Sequence, residues 1–204
     1  MKKWQKQLAK YLAEEKIIRF GNYTVRTGEK KPFRYKAAWT NNSNAIKTIA
    51  KAFIKKIKQD KLEFDALLAI SYSAIPIVSA IATEWKGKPF NFAYDKKQHN
   101  RLIGEIPKNA KVLVIDDSLV TGEAKTKFLK KIKKTRSDLK ITAILVLLDF
   151  EETAKKINTP IHSCLTIKQA YDELLKQKII TNTQYKKYLK YRKKRIIKKT
   201  LSLL

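Results

Sequence analysis

Apolar residues recur at helical spacing at Trp4, Leu8, Tyr11 and Leu12, so residues 2–15 are predicted to form an amphipathic helix. Residues 23–26 follow as a short strand ended by a turn at 27–29, and residues 32–39 as a second extended piece. Ile46, Ile49, Ala50, Phe53 and Ile57 mark one face of a helix over 44–58. From there the pattern alternates. A buried strand at 64–71 leads to a helix at 75–86, entered through Pro76, a residue well tolerated in a first helical turn. A strand at 89–94, a polar loop at 95–101 and a wholly apolar strand at 111–116 come next. A Lys-rich helix at 124–134 turns Phe128, Leu129 and Ile132 inward, and strands at 141–149 and 161–165 complete the series. Basic helices at 168–178 and 183–199 close the chain.

Strands alternating with helices predict an α/β fold whose parallel-centred sheet is flanked by helices. The strand at 111–116 has no polar face and belongs inside the sheet. Ligands in such sheets sit beyond the carboxyl ends of the strands. No repeat and no Gly/Ser linker interrupts the pattern, so residues 1–204 read as one domain. Its parts are a small N-terminal hood (1–40), a core sheet (60–165) and basic C-terminal helices (168–204).

Composition narrows the class. A hydrophobic content of 44% suits a packed core. The longest apolar runs, at 74–82 and 141–148, are too short to cross a bilayer, so no membrane partner is expected. The start of the chain lacks a signal peptide's apolar core, and Glu14 and Glu15 argue against a transit peptide. Cys164 stands alone, which fits a reduced, cytoplasmic setting. The charge is unusual, with 46 Lys and Arg against 18 Asp and Glu. Such an excess attracts nucleic acid or phosphorylated ligands. Yet Arg supplies few of the cations, while Ile, Asn, Lys and Tyr abound; that is the usage of an AT-rich genome, in which Lys accumulates on solvated faces.

The chemistry concentrates in KVLVIDDSLVTGEA, residues 111–124. An apolar strand runs into Asp116 and Asp117, and a short loop with Thr121 and Gly122 then opens a helix. Amides at a helix N-terminus bind phosphate, and glycine lets the chain come close. Carboxylates at the strand end accept hydrogen bonds from the vicinal hydroxyls of a ribose. The bland alternative is an ordinary strand-to-helix turn with Asp117 exposed and Thr121 as N-cap. The complete order of strand, acid pair, loop, Thr-Gly and helix favours a phosphorylated ribose.

This segment resembles the phosphoribosyl-diphosphate signature of type I phosphoribosyltransferases. The chain as a whole is similar to orotate phosphoribosyltransferases, through FGNYTVRTGEKKPF (20–33), FDALLAISYSAIPIVSAIA (64–82), PFNFAYDKKQH (89–99), LIGE (102–105), ITAILVLLD (141–149) and YKKYLKYRKK (185–194). The resemblance implies transfer of phosphoribosyl from phosphoribosyl diphosphate to a pyrimidine base, orotate. Magnesium would be held mainly by the diphosphate, with no metal site of the protein's own. It implies that Asp116 and Asp117 take the ribose hydroxyls, with Asp117 counted among the catalytic groups. Ser118, Leu119, Val120, Thr121, Gly122, Glu123 and Ala124 would surround the 5′-phosphate. Tyr72 and Ser73 would line the pyrophosphate loop, Arg26 would meet the diphosphate, and Arg34 and Tyr35 the orotate ring. Lys96, Lys97 and His99 fall in a mobile loop that closes over the site, Lys97 and His99 as catalytic groups, usually lent by the neighbour in a homodimer.

Several positions depart from the family. Glu123 stands in the phosphate loop and must point away from the anion; Val120 replaces a hydroxyl; Phe150 replaces an arginine; Tyr94 and Asp95 replace an Arg-Lys pair; and the mobile loop is short. A degenerate binding or regulatory protein is therefore the rival to an enzyme, and a basic nucleic-acid-binding protein the second rival. In the tail, Tyr185, Tyr188, Leu189 and Arg192 share a face that docks on the domain, a reading preferred to base stacking by Tyr185, Tyr188 and Tyr191. His162 is expected to pack near a strand start without a partner, and Trp4, Trp39 and Trp85 to serve packing.

Overall fold

The structure is a computed structural model describing residues 1–24, 28–70, 72–96, 101–152 and 157–201, without the side chains of 37, 38 and 198–201. The elements are α1 (Lys3–Glu14), β1 (Ile18–Thr24), β2 (Lys30–Tyr35), a 3-10 turn (Ala37–Asn41), α2 (Ser43–Gln59), β3 (Ala66–Ala69), α3 (Ala74–Glu84), β4 (Asn91–Asp95) and β5 (Leu102–Ile103). They continue with β6 (Lys111–Leu119), α4 (Glu123–Thr135), β7 (Lys140–Asp149), β8 (Ile161–Thr166), α5 (Ile167–Lys176) and α6 (Asn182–Leu201). Six strands form one sheet in the order β5-β4-β3-β6-β7-β8. Every pairing is parallel except that of the short edge strand β5 with β4. The expected α/β architecture is thus present, and β6 lies inside the sheet between β3 and β7.

Strand alternation sorts the core into two faces. Leu113 and Ile115 join Leu67, Ala69 and Leu145 in a large cluster with residues of α1, α2, α3 and α5. Val112 and Val114 face the other way, with Leu68, Ile144 and Val146, against Phe128 and Ile132 of α4. Both valines are fully buried. The helices follow their apolar stripes, with local caps fixing their starts. Asn42 accepts from the Ala45 N–H at 3.0 Å, and Thr166 and Gln169 form a capping box before α5.

The strands differ in extent from their sequence outlines. β3 begins at Ala66, two residues later than expected, just after Asp65 accepts from the Lys111 N–H through its carboxylate at 2.8 Å; residue 71 of the expected strand lies outside the described residues. β6 is longer: pairing with β7 continues through Ser118↔Leu148 and Leu119↔Asp149, so both acids lie within the ladder. The extended piece at 32–39 stops at Tyr35, where the Trp39 indole N–H donates to the Tyr35 hydroxyl at 3.0 Å and the chain coils into the 3-10 turn. Gly104 follows β5 with φ +97, and a Cβ there would lie 2.5 Å from the Phe92 carbonyl oxygen, so this close approach requires glycine.

β1 and β2 form the hood, a separate antiparallel pair. It is tied down from the far end of the chain. The Tyr171 hydroxyl donates to the Pro32 carbonyl at 2.9 Å, and the Gln184 amide to the Phe20 carbonyl at 3.2 Å. α6 docks through its tyrosines. Tyr188 is buried and stacks on Tyr171 with centroids 3.9 Å apart, Tyr185 donates to Asp172 at 2.7 Å, and Tyr191 donates to Glu152 at 2.6 Å. Leu189 is a correction to the expected face, being exposed; Tyr191 and Arg195 take the inward positions instead. His162 is another: its Nδ1 lies 2.6 Å from Asp60 Oδ2, linking β8 to the end of α2.

Candidate active site

The acid pair sits near the carboxyl end of β6, and the strand's period of two sends its members to opposite faces of the sheet. Asp116 follows Val112 and Val114 toward α4. There Oδ1 accepts from the Asp117 N–H at 2.8 Å, and Oδ2 receives the ammonium of Lys125, which also donates to the Ser118 carbonyl. Burial pushes the Asp116 carboxyl above its ordinary range, and the Lys125 ammonium opposes that rise. Asp117 follows Leu113 and Ile115 toward the hood. The Ser118 hydroxyl approaches its Oδ1 at 3.4 Å, and the Tyr35 hydroxyl lies within its reach. Burial first, then the Asp117 carboxylate, holds the Tyr35 hydroxyl well above the ordinary phenol range.

Beyond β6 the chain turns through exposed Thr121 and buried Gly122. Gly122, at φ +82, is the N-cap of α4, so Thr121 does not have that role. The left-handed glycine starts α4, and the amides of a helix's first turn are the groups that suit an anion. Glu123 and Ala124 open the helix with exposed side chains, so Glu123 has room to turn toward solvent.

A cavity of about 400 Å³ lies between the hood and the ends of β6 and β7. Arg34, Tyr35, Ser118 and Val120 line it together, as do Lys31, Phe33 and Phe150. Phe150 stacks on Phe33 with centroids 5.2 Å apart and meets Tyr35 edge-on at 5.9 Å. Lys31 is bound to Glu152 at 2.8 and 3.0 Å, and the same carboxylate accepts from Tyr191 and from Arg195 at 2.8 Å. The back of the cavity is thereby fastened to α6.

Other expected site residues lie apart from this cavity or beyond description. Tyr72 is exposed, and Ser73 precedes α3; neither lines the cavity. The Lys96 N–H donates to the Arg101 carbonyl at 3.4 Å, and the Lys96 carbonyl accepts from Lys131 at 3.3 Å, so the start of the loop is anchored on α4, where Lys131 also pairs with Asp95. Arg26, Lys97 and His99 lie outside the described residues.

Two features escaped the sequence reading. Lys125 carried a signal, since with Phe128 and Ile132 it occupies the i, i+3, i+7 stripe that faces the core, directly after an acid pair. Glu152 had none, because its partners lie 39 to 121 residues away in the chain.

No family model matches the chain. An orotate phosphoribosyltransferase of Marinobacter nauticus is 25% identical over 193 residues, 85% of this chain and 90% of that protein. The solved orotate phosphoribosyltransferase of Francisella tularensis superposes with a TM-score of 0.79 at 23% identity, covering 92% of this chain and 98% of the other. The UMP synthase of Leishmania donovani superposes with a TM-score of 0.78 at 25% identity, covering 92% of this chain and 42% of that longer one.

Proposed function

We propose that this chain, a divergent member of the orotate phosphoribosyltransferase family, transfers phosphoribosyl from phosphoribosyl diphosphate to orotate in pyrimidine nucleotide synthesis. The observation that carries this reading is that Tyr35 both lines the aromatic cavity and meets the Asp117 carboxylate, at the strand end that leads through Ser118 to the glycine-led N-terminus of α4. A flat base, a ribose and a 5′-phosphate suit cavity, carboxylate and helix start in that order.

A ring nitrogen of the base forms a bond to C1 of the ribose as the bond to diphosphate breaks, with inversion. The transition state resembles an oxocarbenium ion, so positioning and neutralisation of the leaving group do most of the work. Arg34 and Tyr35 place the base, Asp117 holds the ribose hydroxyls, and the turn from Ser118 through Ala124 receives the 5′-phosphate. Tyr72, Ser73 and Arg26 meet the diphosphate, while Lys96, Lys97 and His99 close over it from a homodimer partner.

Magnesium, where bound, adds positive charge to the departing diphosphate. Among the described residues no three acidic, His or Cys side chains converge, and Asp116 is already held by Lys125. Asp117, whose carboxylate meets only the Ser118 and Tyr35 hydroxyls among the described residues, would be the acid of the pair available to an ion carried in on the diphosphate. No described helix is long and apolar enough to cross a membrane, and the proposed setting is the cytoplasm.

A second reading, a binding protein without turnover, draws on Phe150, whose ring walls the cavity with carbon. A turnover assay with phosphoribosyl diphosphate, magnesium and a panel of bases decides between them. Orotate consumption that is slow but depends on Asp117 is expected. Thermal stabilisation by phosphoribosyl diphosphate with no turnover on any base would establish the second reading. Light scattering is expected to give a homodimer, and a monomer at high concentration would remove the partner's loop from the scheme.

A further inference from the structure

The acid pair is chemically alike and structurally unlike. Asp116 has both oxygens engaged within the protein, Oδ1 by the Asp117 N–H and Oδ2 by Lys125. Lys125 is itself buried, on the core-facing stripe of α4, and a buried ammonium needs a counter-charge. Its second bond goes to the Ser118 carbonyl, so its two contacts bracket Asp117 in the chain. Turning Asp116 toward a ligand would strand that ammonium. Asp117 is placed differently. It lies on the other face of the sheet, beside Tyr35, and its protein contacts are hydroxyls that a ligand can replace.

We propose that Lys125 divides the labour of the acid pair, committing Asp116 to the protein as a structural partner and leaving Asp117 as the only one of the two that receives the ribose hydroxyls. Lys125 is then a positioning residue: it touches no substrate, and it fixes the strand end from which Asp117 projects. This inference rests on the phosphoribosyl reading above and sharpens it.

Three variants separate the roles. Lys125→Met removes the counter-charge, Asp116→Asn with Lys125→Gln replaces the ion pair by a neutral hydrogen-bonded pair, and Asp117→Asn removes the acid facing the hood. Thermal unfolding without ligand is expected to show Lys125→Met less stable than the double variant, because the single change leaves a carboxylate buried alone. Calorimetry with phosphoribosyl diphosphate and magnesium is expected to show the double variant within about threefold of the parent, and Asp117→Asn weaker by about tenfold or more. Equal losses for the double variant and Asp117→Asn would overturn the division, as would a Lys125→Met protein no less stable than the double variant. Should the double variant not fold, Lys125→Arg keeps the charge and must bind like the parent; a loss comparable to that of Asp117→Asn would overturn the division too. A parent that binds no phosphoribosyl diphosphate would instead remove the functional reading, and this inference with it.

Discussion

Phe150 and Phe33 stack at one end of the cavity, so a flat ring entering there meets aromatic carbon. Carbon cannot answer a carboxylate. Lys31 is held by Glu152, which leaves exposed Arg34 as a cation at the cavity with no ion pair among the described residues. A charge-assisted hydrogen bond is worth about 1.5–3 kcal/mol. Arg34→Ala is therefore expected to raise the KM for orotate by about tenfold or more, with kcat within a few-fold and the melting temperature unchanged. A steady-state comparison with the parent checks this; an unchanged KM would move the carboxylate elsewhere. The acid pair and its turn were legible in the sequence as a strand meeting a helix. Which way each acid faces followed only from the longer β6, since one residue of strand reverses a side chain.

Helices were the most legible elements, because each has a stripe that needs only its own residues to be seen. α2 keeps its expected inner residues Ile49, Ala50, Phe53 and Ile57. Cross-links between elements were not legible, since their partners lie far apart in the chain. His162 pairs with Asp60 across 102 residues, and Tyr171 stacks on Tyr188. The Asp60 link has a pH signature. Burial alone would raise its carboxyl, but Lys56 and His162 outweigh it and hold it below the ordinary range. Its contribution is complete above the unfolded carboxylate pKa of about 4 and is lost as pH falls through the lower folded value. Asp60→Asn is expected to flatten the acid limb of a stability curve, measured by urea melts from pH 6 down to about 3. An unaltered limb would leave Asp60 without a part in acid unfolding. α6 carries a larger effect. Tyr188→Ala removes a buried, stacked ring and should cost about 3–5 kcal/mol in denaturant unfolding, while Leu189→Ala, on the exposed side, should change little.

Across the whole molecule the net charge of +28 is unevenly matched. On α6 the inward cations Arg192 and Arg195 find Glu151, Glu152 and Glu29, whereas Lys186, Lys187, Lys190, Lys193 and Lys194 point outward with no ion pair among the described residues. The tyrosines that would stack on bases are instead packed on the domain. Any polyanion binding is therefore expected to ignore sequence and to fall steeply with salt, by about 0.7–0.9 decades per decade of salt for each phosphate engaged. Anisotropy titrations of single-stranded oligonucleotides at two salt concentrations test it, and a base preference that survives high salt would contradict it. The hood has a further property. Its two strands are synthesised well before α6, yet the contacts that seat it, Phe20 with Gln184 and Glu29 with Arg195, span 164 and 166 residues. Contacts of such separation form late, because a long loop must close before they repay it. On a ribosome that adds about 5–20 residues per second, the hood must wait roughly ten seconds or more for its fastening helix, exposing Phe33 and Phe20 meanwhile. Birth order and assembly order are thus reversed in this chain, and a nascent protein arrested before residue 182 should present the hood to proteases while the central sheet is already closed.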